Sequence, residues 1–194
     1  TLGLTEDDVT AISAIEGVES AIPVYTYDVL TEKDEKQHVI KLMSETTDMN
    51  KITVTEGRMP QESGECLADW LLEQNYGYKI GDKITISSGD DKAIEDIVNT
   101  QTYTITGFGK SSYYLDLTRD SSTIGNGSMS GFLVIPKDNF TLEAFTEIDV
   151  LVDGAGALDC YSDAYEDAVD EVTQEIKDIA GNQCEIRYAE VVSE

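Results

Sequence analysis

A chain of 194 residues, 40% of them hydrophobic, is long enough for one large domain or two small ones and can bury a real core. Its 39 acidic residues face 13 basic ones, and the net charge of −26 repels a phosphate backbone and a broadly touched anionic lipid surface. Composition thus argues against nucleic acid as a partner.

In chain order, "LTEDDVTAISAIEGV" (4–18) predicts an amphipathic helix. Thr5 is its N-cap, Glu6, Asp7 and Asp8 fill the first turn, Val9, Ile12 and Ile15 form the apolar stripe, and Gly17 ends it. Residues 19–31, around "AIPVYTYDVL", read as a strand with Pro23 marking an edge, and "QHVIKLM" (37–43) returns across the charged turn "TEKDEK" as a hairpin. "KITVTEGRMP" follows, then "GECLADWLLEQNYG", a short strand leading into a short helix at 68–75. "YKIGDKITISSG" (78–89) and "QTYTITGFG" (101–109) alternate like two antiparallel strands across the acidic loop "DDKAIEDIVN". "GFLVIP" and "EIDVLVDG" (147–154) are further strands. "YSDAYEDAVDEVTQEIKDIAG" (161–181) is a helix with an acidic outer face and Gly181 at its C′ position, and "CEIRYAEVV" is a closing strand.

Chemistry is sparse. "STIGNGSMSGFLVIP" (122–136) has glycines but no helix after them, so no N-terminal amides converge on a phosphate; it reads as a surface excursion that ends in a strand. His38 is the sole histidine and sits in an alternating strand, where a solvent-facing side chain is the plain explanation. Cys66 reads as a small buried residue, Trp70 as a hydrophobic anchor, and "DDKAIED" as a solvated loop without the turn glycine of a calcium site. No catalytic residue, metal site or cofactor is expected. Three cysteines leave at least one unpaired, and the helix between Cys160 and Cys184 holds those two apart. "SSYYLDL" (111–117) stands out, because Tyr113, Tyr114, Leu115 and Leu117 crowd a segment with no regular period; Tyr113, Tyr114, Leu117 and Met129 are the candidate partner-binding residues.

The order of elements resembles the extracytoplasmic core domain of MacB-like and FtsX-like ABC transporter permeases, in particular the longer Gram-positive ones. The residues that carry the resemblance are Gly57-Arg58-x-Pro60 with Gly64-Glu65 behind it, Gly81-Asp82 before Ile84 and Ile86, and Val134-Ile135-Pro136. It implies an α+β fold in which a porter-like α/β subdomain, 1–57 and 132–194, carries an inserted smaller, mostly β subdomain, 58–131. It also implies a non-catalytic domain on the extracellular face of the cell membrane. Its partners would be its own transmembrane helices, a separate ATP-binding cassette subunit and an unknown extracellular protein or ligand. The abrupt start at Thr1 and the stop at Glu194 then read as cuts in a longer permease. A secreted acidic module that binds a peptide or glycan is the alternative, and a small acidic hydrolase stands behind it.

Overall fold

The computed structural model describes residues 3–46 and 49–193. The chain has α+β architecture and divides into two units: a terminal unit of residues 1–23 and 144–194, and an inserted unit of residues 24–143.

In the terminal unit, α1 (Glu6–Ser13) starts where the Thr5 backbone N–H donates to the Asp8 carboxylate at 2.7 Å. Ile12 and Ile15 face inward. β1 (Val18–Val24) and β9 (Glu147–Val152) form a two-stranded sheet. α3 (Asp163–Ser193) begins over Ser162, whose hydroxyl accepts from the Tyr165 N–H at 3.2 Å. Gly17 lies under Val172, and Arg187 donates through Nη2 to Asp8 Oδ1 at 2.6 Å and through Nη1 to the Gly3 carbonyl. The long helix therefore runs antiparallel to segment 3–17.

The helix was expected to end at Gly181 and give way to a strand at 184–192; instead it continues through both. Gly181 does not take the left-handed conformation of a cap and has open space around it. The four-residue spacing of Ile176, Ala180, Cys184 and Tyr188 carries the apolar stripe onward, and Arg187 anchors the last turns to α1.

The inserted unit is the larger of the two and is built on a seven-stranded sheet. Its strands are β2 (Thr26–Lys33), β3 (Lys36–Ser44), β4 (Ile52–Gly57), β5 (Glu65–Asp69), β6 (Lys83–Ser87), β7 (Thr102–Ser111) and β8 (Met129–Ile135), with α2 (Trp70–Tyr76) after β5. The order is β4-β7-β5-β8-β3-β2-β6, and β6 pairs again with β7, which closes the sheet into a small barrel. β5 occupies one edge of β7 over 104–109, so β6 at 102–104 and β4 at 107–111 share the other. β2 and β3 form the expected hairpin, with Asp34 and Glu35 at φ 51° and 61° in the tight turn.

Alternate residues of the same strands serve two sides. Cys66, Ala68, Leu133 and Ile135 join the main core with Val29, Ile40 and Tyr103, whereas Leu67, Phe132 and Val134 form a second cluster with Met43. β8 is therefore apolar without a break from Phe132 to Ile135, as its sequence reads.

The expected boundaries at 57/58 and 131/132 are displaced to 23/24 and 143/144. β3 pairs in parallel with β8 and β2 pairs with β6, so residues 26–44 and 129–135 belong to the barrel. The strand expected over 19–31 is likewise two strands in different units, interrupted at Tyr25. Tyr25 stacks on Phe140 at 5.1 Å, and its N–H donates to Ser44 Oγ at 3.0 Å.

Candidate functional site

The segment after β7 leaves the barrel by a turn in which Ser111 Oγ accepts from the Tyr113 N–H at 3.2 Å and Ser111 O from the Tyr114 N–H at 3.2 Å. Tyr114 folds back over the second cluster, stacked on Phe132 at 5.9 Å between centroids with 13° between planes. The Arg119 guanidinium carbon lies 4.5 Å from the centre of that ring. Arg119 makes a two-pronged ion pair with Asp69, Nε to Oδ2 at 2.7 Å and Nη2 to Oδ1 at 3.0 Å, with side chains only 3% and 0% exposed. Asp69 Oδ1 also accepts from the Leu71 N–H at 3.1 Å, so one carboxylate caps α2 and holds the loop. Arg119 Nη1 donates to the carbonyls of Asp116 and Thr118, both at 3.0 Å.

The loop is thus a closed structure with a defined outer side. Tyr113 is 43% exposed, Leu115 97% and Leu117 68%. Lys41 lies 5.9 Å from the Tyr113 ring centre and pairs with Asp120 at 3.2 Å. Burial first, and then the neighbouring Asp120, push the Tyr114 hydroxyl up; hydrogen bonds from Thr118 hold the Asp116 carboxyl below its ordinary value.

Of the candidate residues, Tyr113 and Leu117 face outward, and Tyr114 is half-buried as the ring that seats the loop. Met129 does not belong to the exposed set. It is 6% exposed and packs with Leu30, Val39 and Ile124, because the glycine turn before it delivers the chain straight into β8. In that turn Gly125 lies so close to Val39 that a Cβ would come within 2.8 Å of its Cγ2. Sequence reasoning missed Asp69 and Arg119. The available signal was an arginine inside an aromatic loop of a chain poor in basic residues, with an Asp at the start of a short helix.

His38 is half-buried against Tyr76, 4.3 Å between ring centres, with Ser130 Oγ 3.4 Å from Nδ1. Burial first, then Lys36, lower its pKa, so the ring is neutral at neutral pH. Cys66 is fully buried, and burial pushes its thiol up, away from a reactive thiolate. All three cysteines are free.

The residues that carried the resemblance close a compact turn. Gly57 has φ +73°, and a Cβ there would lie 2.2 Å from the Thr106 carbonyl oxygen. Arg58 grips Glu65 with both terminal nitrogens, and Glu65 Oε2 accepts from the Gln61 N–H at 2.9 Å. Thr106 Oγ1 donates to the carbonyls of Arg58 at 3.0 Å and Cys66 at 3.1 Å, tying the turn to β5 and β7.

The model of the MacB-like periplasmic core domain matches residues 1–177. The chain belongs to this family. As a MacB-like periplasmic core domain it is similar in fold to the extracellular domain of the noncanonic ABC-type transporter YknZ from Gram-positive bacteria. That likeness has 14% identity and a TM-score of 0.51 over 93% of this chain and 86% of the other. The periplasmic region of MacB from Actinobacillus actinomycetemcomitans is similar at 13% identity and a TM-score of 0.49, covering 92% of this chain and 75% of the other. None of the curated proteins matches this MacB-like domain in sequence. Among its described residues no helix is long and apolar enough to cross a membrane.

Proposed function

We propose that this MacB-like domain is the extracytoplasmic part of an ABC transporter permease. In this reading it does no chemistry of its own and passes movement driven by ATP hydrolysis in a separate cytoplasmic subunit to a ligand or protein outside the membrane. The observation that carries the reading is the family match over residues 1–177. Within it, the terminal unit is the porter-like part attached to the permease's own transmembrane helices, and the outward side of loop 112–119, with Tyr113, Leu115 and Leu117, is the contact edge for the extracellular partner. An exposed apolar edge on a loop seated by a buried ion pair loses little freedom on binding.

Hydrogen exchange of the full permease in lipid, with its ATP-binding subunit, is the test. Exchange in α3 is expected to differ between the ATP-bound and nucleotide-free states; identical exchange would overturn the coupling role. Turnover of an ester, phosphate, peptide or glycoside that vanishes in His38→Ala would overturn the non-catalytic reading.

A further inference from the structure

Asn126 is the one asparagine of this chain that precedes a glycine; the others stand before Lys51, Tyr76, Thr100, Phe140 and Gln183, whose side chains crowd the next backbone nitrogen. It is exposed, in the turn between Ser121 and Ser128, which face each other as an antiparallel bridge just before β8. Its side chain is folded forward over the next peptide, with Asn126 Oδ1 accepting from the Ser128 N–H at 3.0 Å. That bond polarises the side-chain amide and sets a donor where negative charge gathers on Oδ1 when a nucleophile adds to Cγ. The nucleophile at hand is the Gly127 backbone nitrogen, which carries no side chain to shield it; a Cβ there would meet only the Ser122 carbonyl oxygen, at 3.6 Å.

The geometry points to a self-modification site at which Asn126, with water as the only co-reactant, converts to aspartate and isoaspartate. The Gly127 nitrogen gives its proton to hydroxide and bonds to Asn126 Cγ; the Cγ–Nδ2 bond breaks and ammonia leaves with a proton from water, closing a five-membered succinimide. Water then adds to one ring carbonyl and the ring C–N bond opens, at Cγ to give aspartate or at the main-chain carbonyl to give isoaspartate. The Gly127 N–H donates to the Ile124 carbonyl at 3.0 Å, so the nitrogen is released only when the turn opens, and the folded chain reacts more slowly than an unfolded one. Isoaspartate lengthens the main chain by one methylene where there is no slack. Gly125 is pressed against Val39, the Ser122 N–H donates to the Gly127 carbonyl at 3.0 Å, and the Met129 N–H to the Asp120 carbonyl at 3.3 Å. The product therefore loosens the arm that carries Arg119 and Asp120, whose bonds to Asp69 and Lys41 seat loop 112–119. The site is a one-way clock on the stiffness of that loop, whatever the loop binds.

In the experiment the whole chain is held at mildly alkaline and, in parallel, at mildly acidic pH, folded and in urea, and its peptides are followed by mass spectrometry. Alkaline incubation of the folded chain is expected to add one dalton at Asn126 ahead of every other asparagine, with isoaspartate among the products, read by enzymatic methylation of isoaspartyl groups. Urea should speed the reaction and acid should slow it. Gly127→Ala is expected to slow it by about tenfold, because a methyl group crowds the nucleophile. That variant is strained at φ +79°, so Asn126→Gln, whose ring closure needs six members, is the second control, and its peptide should keep its mass. Hydrogen exchange at the Gly127 and Met129 amides should rise as conversion proceeds. Conversion in urea but not in the folded chain, earlier conversion of another asparagine, or aspartate as the sole product would overturn the site. Exchange unchanged after full conversion would overturn its effect on the loop.

Discussion

At the scale of single residues, the Asp69–Arg119 pair matters most, because neither side chain has water to fall back on. Arg119→Ala leaves a buried carboxylate unpaired and is expected to cost about 3–5 kcal/mol in denaturant unfolding, whereas the joint change Asp69→Asn with Arg119→Met should recover a large part of the loss. A loss below about 1 kcal/mol for Arg119→Ala would show that the pair does not seat the loop. The opposite holds for Leu115→Ser and Leu117→Ser on the exposed edge, which should each leave stability within about 0.5 kcal/mol. Glu65 supplies an acid-sensitive element. The hydrogen bond from Arg58 and then the Gln61 N–H hold its carboxyl at about 2, against an ordinary 4.5. A depressed folded pKa means that its stabilisation is complete above the unfolded value, near 4.5, and drains away as pH falls toward about 2. Glu65→Gln should therefore flatten the acid limb of the unfolding midpoint, and an NMR titration of the Glu65 carboxyl centred near its ordinary value would contradict the geometry.

At the scale of elements, Gly181 gives the cleanest test of the long helix. Inside a helix with nothing within 4 Å of a Cβ, Gly181→Ala should stabilise by about 0.5–1 kcal/mol, read by thermal melting of the helical signal; at a left-handed cap the same change would destabilise. The hairpin of β2 and β3, the strand into α2, the β6–β7 pair and the start of α1 were legible because turn residues, caps and two-residue alternation all pointed one way. The tail of α3 was not, because Gly181 followed by the β-branched and alternating "EIRYAEVV" imitates a stop and a strand. What decides it is the tertiary tie from Arg187 to Asp8, which no local pattern carries. The same limit applies to the loop: its aromatic crowding was visible, yet which rings turn inward depends on Phe132 and Asp69, both distant in sequence.

At the scale of the whole molecule, family order and α+β class were readable from the succession of elements, while the unit boundaries were not, because the parallel β3–β8 pairing across some ninety residues has no sequence signature. The charge of −26 makes the folded state self-repelling, so its melting temperature is expected to rise as added salt screens charges beyond about 10 Å; a melting point indifferent to salt would mean that local pairs dominate. The discontinuity of the terminal unit has a consequence for biosynthesis. Residues 24–143 are a continuous stretch that holds every strand of the barrel, so this part can fold while the nascent chain is still growing. α1 and β1, although made first, must wait for β9 and for Arg187 near the end of synthesis. Over that interval the first segment emerges with its apolar stripe uncovered, and it is there that a chaperone or protease has its opportunity.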